Sequence, residues 1–509
     1  MKDGLHVVHV RVNDAATGQP TPCRVRFEGA DGQAYAPLGR YTLFPTLPDT
    51  DVGLHYRRGA RAYSFVDGTF EIALPADPIT VEVTKGPEYR PIAKVFTLGP
   101  GKMALRFSLE RWRNLAALGW HGGDCRCHHL SPHSALLEGA AEGLAVVNLL
   151  VRNWDSNLKY TSPLRNIEAF SGDTPCLKSP ESMVVVNTFN VNVLLGSLAL
   201  LNCHRIVFPL SSGVTGFKEY TLNDWCGQCH RKNGLVIWSE PFLWLGDFEH
   251  ARAWAEPGFT VVGPEGLALL LTGRIDALEV TESVRTVCQF HNWYALLNAG
   301  FRVPLVGSSA KVSNEELLGA MRTFAYLGPD QPFSYAAWIE AVRQGKTCVS
   351  NGPLIEFKVN GQPPGGAVAV AGNEDRLELS ASMVGGDTRW RLEIVGNGEE
   401  IADAFYSGDP VSAQISLTIP AGRLRWIAAR CRAESPGGLI AHTSPVYLRN
   451  PAAEAPADTK LLRTMQQFLE RSAHWAATAK DPRLPPSRDA LAETLGSAGA
   501  EIDRKLLDP

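Results

Sequence analysis

Thirteen residues, HGGDCRCHHLSPH, bring together His121, Asp124, Cys125, Cys127, His128, His129 and His133, a supply of imidazole, thiol and carboxylate sufficient to hold a divalent ion. In an extended strand, residues i and i+2 point to the same side, so a pair at that spacing reaches one ion. Here that pair is Arg126 and His128. Arginine stays protonated, offers no lone pair and repels a cation, so position 126 is not a ligand. By the same count Cys125 and Cys127 share the opposite side, and two thiolates with His121 or His129 would suit zinc. Structural zinc sites space their cysteines by two to four residues and draw a second ligand pair from elsewhere, so buried, inert thiols are the favoured reading.

A second match is Cys226-Gly-Gln-Cys229-His230, the spacing of covalent haem attachment. On a helix these residues lie at i, i+3 and i+4, on one face, which inward packing of the thiols also explains. Haem attachment takes place in an oxidising export compartment, and the amino terminus MKDGLHVVHV has no apolar stretch of signal-peptide length, so no haem is expected. The remaining candidates sit at ends of apolar runs: His204 in LLNCHRIVF, Glu240 after LVIWS, Asp276 and Glu279 in IDALEV, and Ser308 and Ser309 after VPLVG. Each alone is more often a cap or a hydrogen-bonded core residue. Several at strand ends of one sheet are expected to converge on a site.

The elements that would position them fall into four blocks. Residues 1–110 alternate apolar with polar (Val8, Val10, Val12; Thr80-Val-Glu-Val-Thr) between Gly- and Asp-rich turns, which predicts a β-sandwich. Residues 111–351 change to continuous apolar runs, Leu144–Val151, Leu235–Trp238 and Val303–Val306, separated by helical stretches, the pattern of an α/β unit with strands buried on both faces. Within it Thr221 or Asn223 caps a helix through Trp225 and Cys229 that Gly234 ends. Residues 352–450 return to alternation and predict a second β-sandwich, and 451–509 form a helical tail in which Asp458 can cap a helix burying Leu461, Leu462, Met465, Leu469 and Ser472.

A 509-residue chain exceeds a single ordinary core. Its 45% hydrophobic and 20% charged residues are those of a globular protein, and a net charge of −4 gives no reason to expect nucleic acid or an anionic membrane as partner. The most apolar segment, Met183–Leu201, is interrupted by Asn187, Asn190 and Asn192, which argues against a membrane span. Ten cysteines in so long a chain read as thiols or ligands, not a disulfide framework. A cytoplasmic location and a small-molecule partner are expected, with a homo-oligomer left open.

Taken in order, GGDCRCHH, LNDWCGQCHRKNGLVIWSEP, IDALEV, HNWYALLNAGFRVPLVGSSA, FSYAAWIEAVRQGKTCVSNGPLIEFKVNGQPPG and AHTSPVYL resemble the carbaryl-hydrolase-like (CehA/McbA) branch of the polymerase-and-histidinol-phosphatase (PHP) metallohydrolases across most of residues 1–450. The resemblance implies a distorted (βα)7-type barrel flanked by the two sandwiches, with two or three zinc, manganese or iron ions activating water to hydrolyse a small ester, amide, carbamate or phosphoester. It implies metal ligation by His128, His204 and Glu240, the last standing where the family has a His-Pro element. Asp124 or Asp276 would orient the attacking water. It also implies two lost ligands: Arg126 replaces the first histidine of an H-x-H pair, and Ser309 stands where a Gly-Ser-Asp element supplies a carboxylate. Three readings follow: a hydrolase with fewer metal ions, a non-catalytic relative in which Arg126, with Lys311 and Ser309, binds a small anionic ligand, and a barrel kept only as a scaffold.

Overall fold

The computed structural model describes residues 4–47, 52–153, 165–192, 194–213, 220–241, 264–282, 286–385, 390–406, 412–433, 440–449, 459–478 and 488–507. It is a mixed α/β molecule made mostly of strands. At the amino end, Leu5–Asp14 pairs antiparallel with Thr69–Pro75 and parallel with Ala104–Leu109, and a second sheet is built around Cys23–Gly29. The alternating Val8, Val10 and Val12 face Val25, Phe27 and Val81 in one shared core.

The central strands are β1 (Trp120–Cys127), β2 (Val146–Arg152), β3 (Met183–Asn192), β4 (Gly196–Leu201), β5 (Leu235–Ser239), β6 (Ala277–Thr281), β7 (Leu305–Ser308), β8 (Arg322–Tyr326) and β9 (Thr347–Ser350). Strands β1, β2 and β3 run parallel, β4 is antiparallel to both β3 and β5, and β5, β6 and β7 are again parallel. The sheet curls into a half-barrel. Its curl brings the chain just after β7 back to the end of β1, where Ala310 donates its amide to Arg126 (3.0 Å) and His128 donates to Lys311 (2.8 Å).

Period two divides the strands after β1 into an inner and an outer set. Val146, Leu150, Val185, Ala199, Leu201, Leu235, Ile237, Ala277, Val306 and Ala325 line the inside of the curl. Trp338, Ile339 and Val342 of the helix Tyr335–Arg343 pack in the same interior, and the Trp338 indole donates to the His121 carbonyl (3.1 Å) at the start of β1. The outer residues of β2 and β3, Val147, Leu149, Val184 and Val186, pack instead with Ala135 of the helix Pro132–Ala141.

Thr221 caps the helix Leu222–Arg231 in a reciprocal box with Asp224, so the cap expected at 221 or 223 is at 221. The left-handed residue after this helix is Asn233 (φ 64°), not Gly234. Gly234 is required for closeness: a Cβ there would lie 2.4 Å from both the Cys203 and Cys229 sulfurs and 2.9 Å from the Leu201 carbonyl oxygen. Gly234→Ala is therefore expected to lower stability by about 1–3 kcal/mol through overpacking. Thermal denaturation checks it, and an unchanged midpoint would show that the two sulfurs give way freely.

The central sheet does not stop at residue 351. Strand β9 pairs antiparallel with Ile440–Thr443, joining the central strands to the carboxyl-terminal ones in one 17-stranded ladder. A three-stranded sheet, Ile355–Val359, Arg376–Val384 and Ser412–Pro420, packs against this extension through Ile355, Leu379, Trp390 and Ile427. The described residues of the tail form two helices, Thr459–Thr478 and Arg488–Leu507, of which the sequence pattern discloses the first alone. Leu462, Met465, Leu469 and Ser472 are buried as expected, whereas Leu461 is only partly so, and Asp458 lies outside the described residues. With Leu491, Leu495 and Ile502 of the second helix they join the core of Pro264–Leu271, so the tail is docked on the central unit. No described helix is long and apolar enough to cross a membrane.

Candidate functional site

At the carboxyl ends of the central strands the inward positions are polar: Arg126 from β1 and His128 just after it, Arg152 from β2, Ser239 from β5, Glu279 from β6 and Ser308 from β7. Arg126 is at the centre. Its Nε and Nη2 donate to the two carboxylate oxygens of Glu279 at 2.7 and 2.8 Å, a bidentate pair with both side chains buried. Glu240 approaches Arg126 at 3.4 Å from the exposed rim, and its own amide donates to Glu279 (3.1 Å). The Arg126 and Arg152 guanidinium carbons lie 4.9 and 5.2 Å from the centroid of the Phe189 ring.

Charge follows from this packing. Burial works against the Arg126 cation, yet Glu279 and Glu240 hold its pKa above the ordinary value. Arg152 is brought down to about 10 by burial and by the Arg126 charge, with Glu240 acting in the opposite sense. His128 is held well below its usual range, first by burial and then by Arg126 and Arg152. Its Nδ1 is 3.0 Å from the Leu150 carbonyl oxygen and so carries the proton, leaving Nε2 an acceptor. That Nε2 is buried without a hydrogen-bond partner, as are the hydroxyls of Ser239 and Ser308.

The two thiols of the opening motif do not share a side. The register of β1 against β2 shifts between Asp124 and Cys127, placing one extra residue in β1, so Cys125 packs inside the curl and Cys127 outside it. Burial pushes both thiols far up: Cys125 to beyond the normal thiol range and Cys127 likewise. His121 is at the far end of β1, stacked on Phe333. Cys226 and Cys229 are buried in the outer core, with Cys229 Sγ 3.3 Å from Cys203 Sγ, while His230 Nε2 turns to Asp276 at 3.0 Å.

Two residues expected at the site are at the other end of the sheet. The β4–β5 register pairs Ser197 with Ser239 at the site end and Leu201 with Leu235 at the opposite one, four residues or roughly 13 Å away. His204 follows Leu201 and is exposed there, its Nδ1 3.0 Å from the Lys232 carbonyl, so it does not join His128 and Glu240. Asp276 precedes β6 at that same end, where it accepts the Val236 amide (2.7 Å), so it does not orient water at the site. The reversed direction of β4 is the cause for His204, and for Asp276 it is its place before β6 instead of after it.

Asp124, Ser309 and Lys311 are close to the site but hold the backbone. Asp124 accepts amides from Arg126 (3.0 Å), Ser309 (3.1 Å) and Gly319 (2.9 Å). Burial raises it to about 6 against those hydrogen bonds. Ser309 Oγ accepts the Lys311 amide, and Lys311 Nζ, fully buried, donates to the carbonyls of Ser313 and Glu316 and faces Glu138 at 3.8 Å. The lysine thus has its partners away from Arg126 and Glu240.

Sequence reasoning missed Arg152 and Phe189 and did not assign Glu279 its part. The signal was present: extending the alternation Val146, Asn148, Leu150 by one step gives Arg152, and Ala277, Glu279, Thr281 is the same pattern in β6.

The metal ions implied by the resemblance do not fit this donor set. Arg126 stands between the acidic groups, both Glu279 oxygens are engaged by it, and His204 is at the wrong end, leaving His128 Nε2 with the rim carboxylate of Glu240. Among the described residues no three His, Cys, Asp or Glu side chains gather in a metal-binding group.

No protein-family model and no curated protein matches the chain. Two solved structures show slight likeness. One is the MHC-like protein MILL2, at 16% identity over 22% of this chain and 39% of that one, with a TM-score of 0.14. The other is an engineered protein, at 9% identity over 34% of this chain and 49% of that one, also with a TM-score of 0.14. The chain thus spans less than half the length of either structure.

Proposed function

We propose that this chain is a non-catalytic relative of the PHP metallohydrolases, a (βα)7-type barrel between two β-sandwiches, that binds a small anionic ligand at the strand ends. The observation that carries the reading is the Arg126–Glu279 bidentate pair with Arg152 across Phe189, a guanidinium standing where the family pattern has a metal-ligating imidazole. Two like charges beside one ring and against a half-exposed Glu240 favour an anion that takes over the rim position of that carboxylate. The ligand is a small molecule; nucleic acid and membrane have no part in the reading, and the nine free cysteines recorded among the described residues accord with a cytoplasmic setting.

Titration of the purified protein with inorganic phosphate and with acetate, followed by calorimetry, tests this. Saturable binding is expected, weakened roughly tenfold or more by Arg152→Met, as loss of a charge-assisted contact requires. The competing reading is a one-metal hydrolase, favoured by the unpartnered Nε2 of His128. About one equivalent of bound transition metal together with turnover of nitrophenyl esters would establish that reading and overturn ours.

A further inference from the structure

We infer that the anion bound here is hydroxylated, a small hydroxycarboxylate or polyol phosphate, with a ligand hydroxyl donating to His128 Nε2 and others meeting Ser239 and Ser308. This rests on the anion-binding reading and specifies its ligand class.

Among the buried polar atoms without partners at this end of the sheet are Nε2 of His128, Oγ of Ser239 and Oγ of Ser308. Such groups are costly unless they are satisfied, and each is nearly or wholly inaccessible in the chain itself. They surround the arginine pair. His128 and Arg126 both face the Phe189 ring, with the His128 ring centroid 5.2 Å from it. Ser239 directly precedes Glu240, whose amide is bound to Glu279. Ser308 is paired with Thr281, two residues beyond Glu279, and two residues before Ala310, whose amide is bound to Arg126.

The chemistry of the three groups differs from that of the guanidiniums. With its Nδ1 proton directed to the Leu150 carbonyl, His128 offers a lone pair, which a carboxylate or phosphate oxygen cannot satisfy but an O–H can. Serine hydroxyls both donate and accept, which matches alcohol groups. Below them the inside of the curl is apolar except for Asn148, Asn187 and Tyr335, which hydrogen-bond to one another, so a ligand hydroxyl at the strand ends has His128, Ser239 and Ser308 as partners and the analogue lacking it leaves them unpaired. Sites built to hydrogen-bond a ligand hydroxyl discriminate strongly against the deoxy compound for that reason.

The experiment compares matched pairs on the full chain: glycerate with propionate, and sn-glycerol 3-phosphate with propyl phosphate, by calorimetry. The hydroxylated member of at least one pair is expected to bind about tenfold or more tightly. Whichever pair shows the preference identifies the anion as carboxylate or phosphate. His128→Leu should reduce the ratio to below about threefold. Since that variant alters a buried ring, Ser239→Ala combined with Ser308→Ala, which deletes only two hydroxyls, provides the second measurement and should also reduce the ratio. Equal affinities within both pairs would overturn this inference and leave anion binding intact. A preference unchanged in both variants would overturn it as well, and no binding of any of the four compounds would overturn it together with the reading beneath it.

Discussion

Glutamine in place of Glu279 is expected to destabilise the protein by about 3–5 kcal/mol, because it leaves the buried Arg126 guanidinium without its bidentate carboxylate. Arg126→Met should cost a similar amount, since the Glu279 carboxylate is fully buried and would keep only the Glu240 amide as a close donor. Removing both charges together is a different matter. Much of each single loss is the penalty for an unpaired charge, so Arg126→Met with Glu279→Gln should lose clearly less than the sum of the two. Guanidinium denaturation of the four proteins gives the cycle. Singles costing under about 1 kcal/mol would show that Glu240 and water solvate Arg126 adequately, and the pair would then be a rim contact in energetic terms.

The same pair shows what could be read in advance. Arg126 and His128 are identifiable as neighbours from their spacing of two, which holds at this pair although the bulge breaks it for Cys125 and Cys127, and both do reach Phe189. The alternation of residues 1–110 and 352–450, and the apolar runs between them, likewise announce where strands are buried on one face or on two. Strand direction was not legible. His204 and Asp276 occupy ends of apolar runs just as Glu240 does, but β4 runs antiparallel to its neighbours and sends His204 to the opposite end, and Asp276 stands before its strand, not after it. The bulge in β1 was hidden for a related reason. A single inserted residue leaves no compositional mark, yet it moves Cys125 and Cys127 to opposite faces. Lys311 and Ser309 were assigned to a ligand by charge and proximity in sequence, whereas their bonds go to backbone that ties β7 to β1.

Substituting histidine for Arg126 is expected to convert the site into one that takes up zinc. The change removes the cation, frees both Glu279 oxygens, and places an imidazole two residues from His128, whose Nε2 has no partner. Two imidazoles and a carboxylate are a sufficient ligand set for one zinc ion with an open position, and Glu240 is within reach of the same space at the rim. Ser309→Asp, the other change that would restore the family pattern, should not help. Position 309 is bonded to the buried carboxylate of Asp124, so a second carboxylate there meets a like charge and competes for the amides that hold β7 to β1. Without metal, Arg126→His should be less stable than the native chain, because Glu279 loses its counter-ion. With zinc at a hundredfold excess over its dissociation constant the variant should regain about 2.7 kcal/mol, while the native protein should not respond. Metal content after gel filtration and denaturation midpoints with and without zinc measure the two effects. Failure of the variant to retain zinc would mean that β1 and β6 do not present positions 126, 128 and 279 to a common point once the guanidinium no longer joins them.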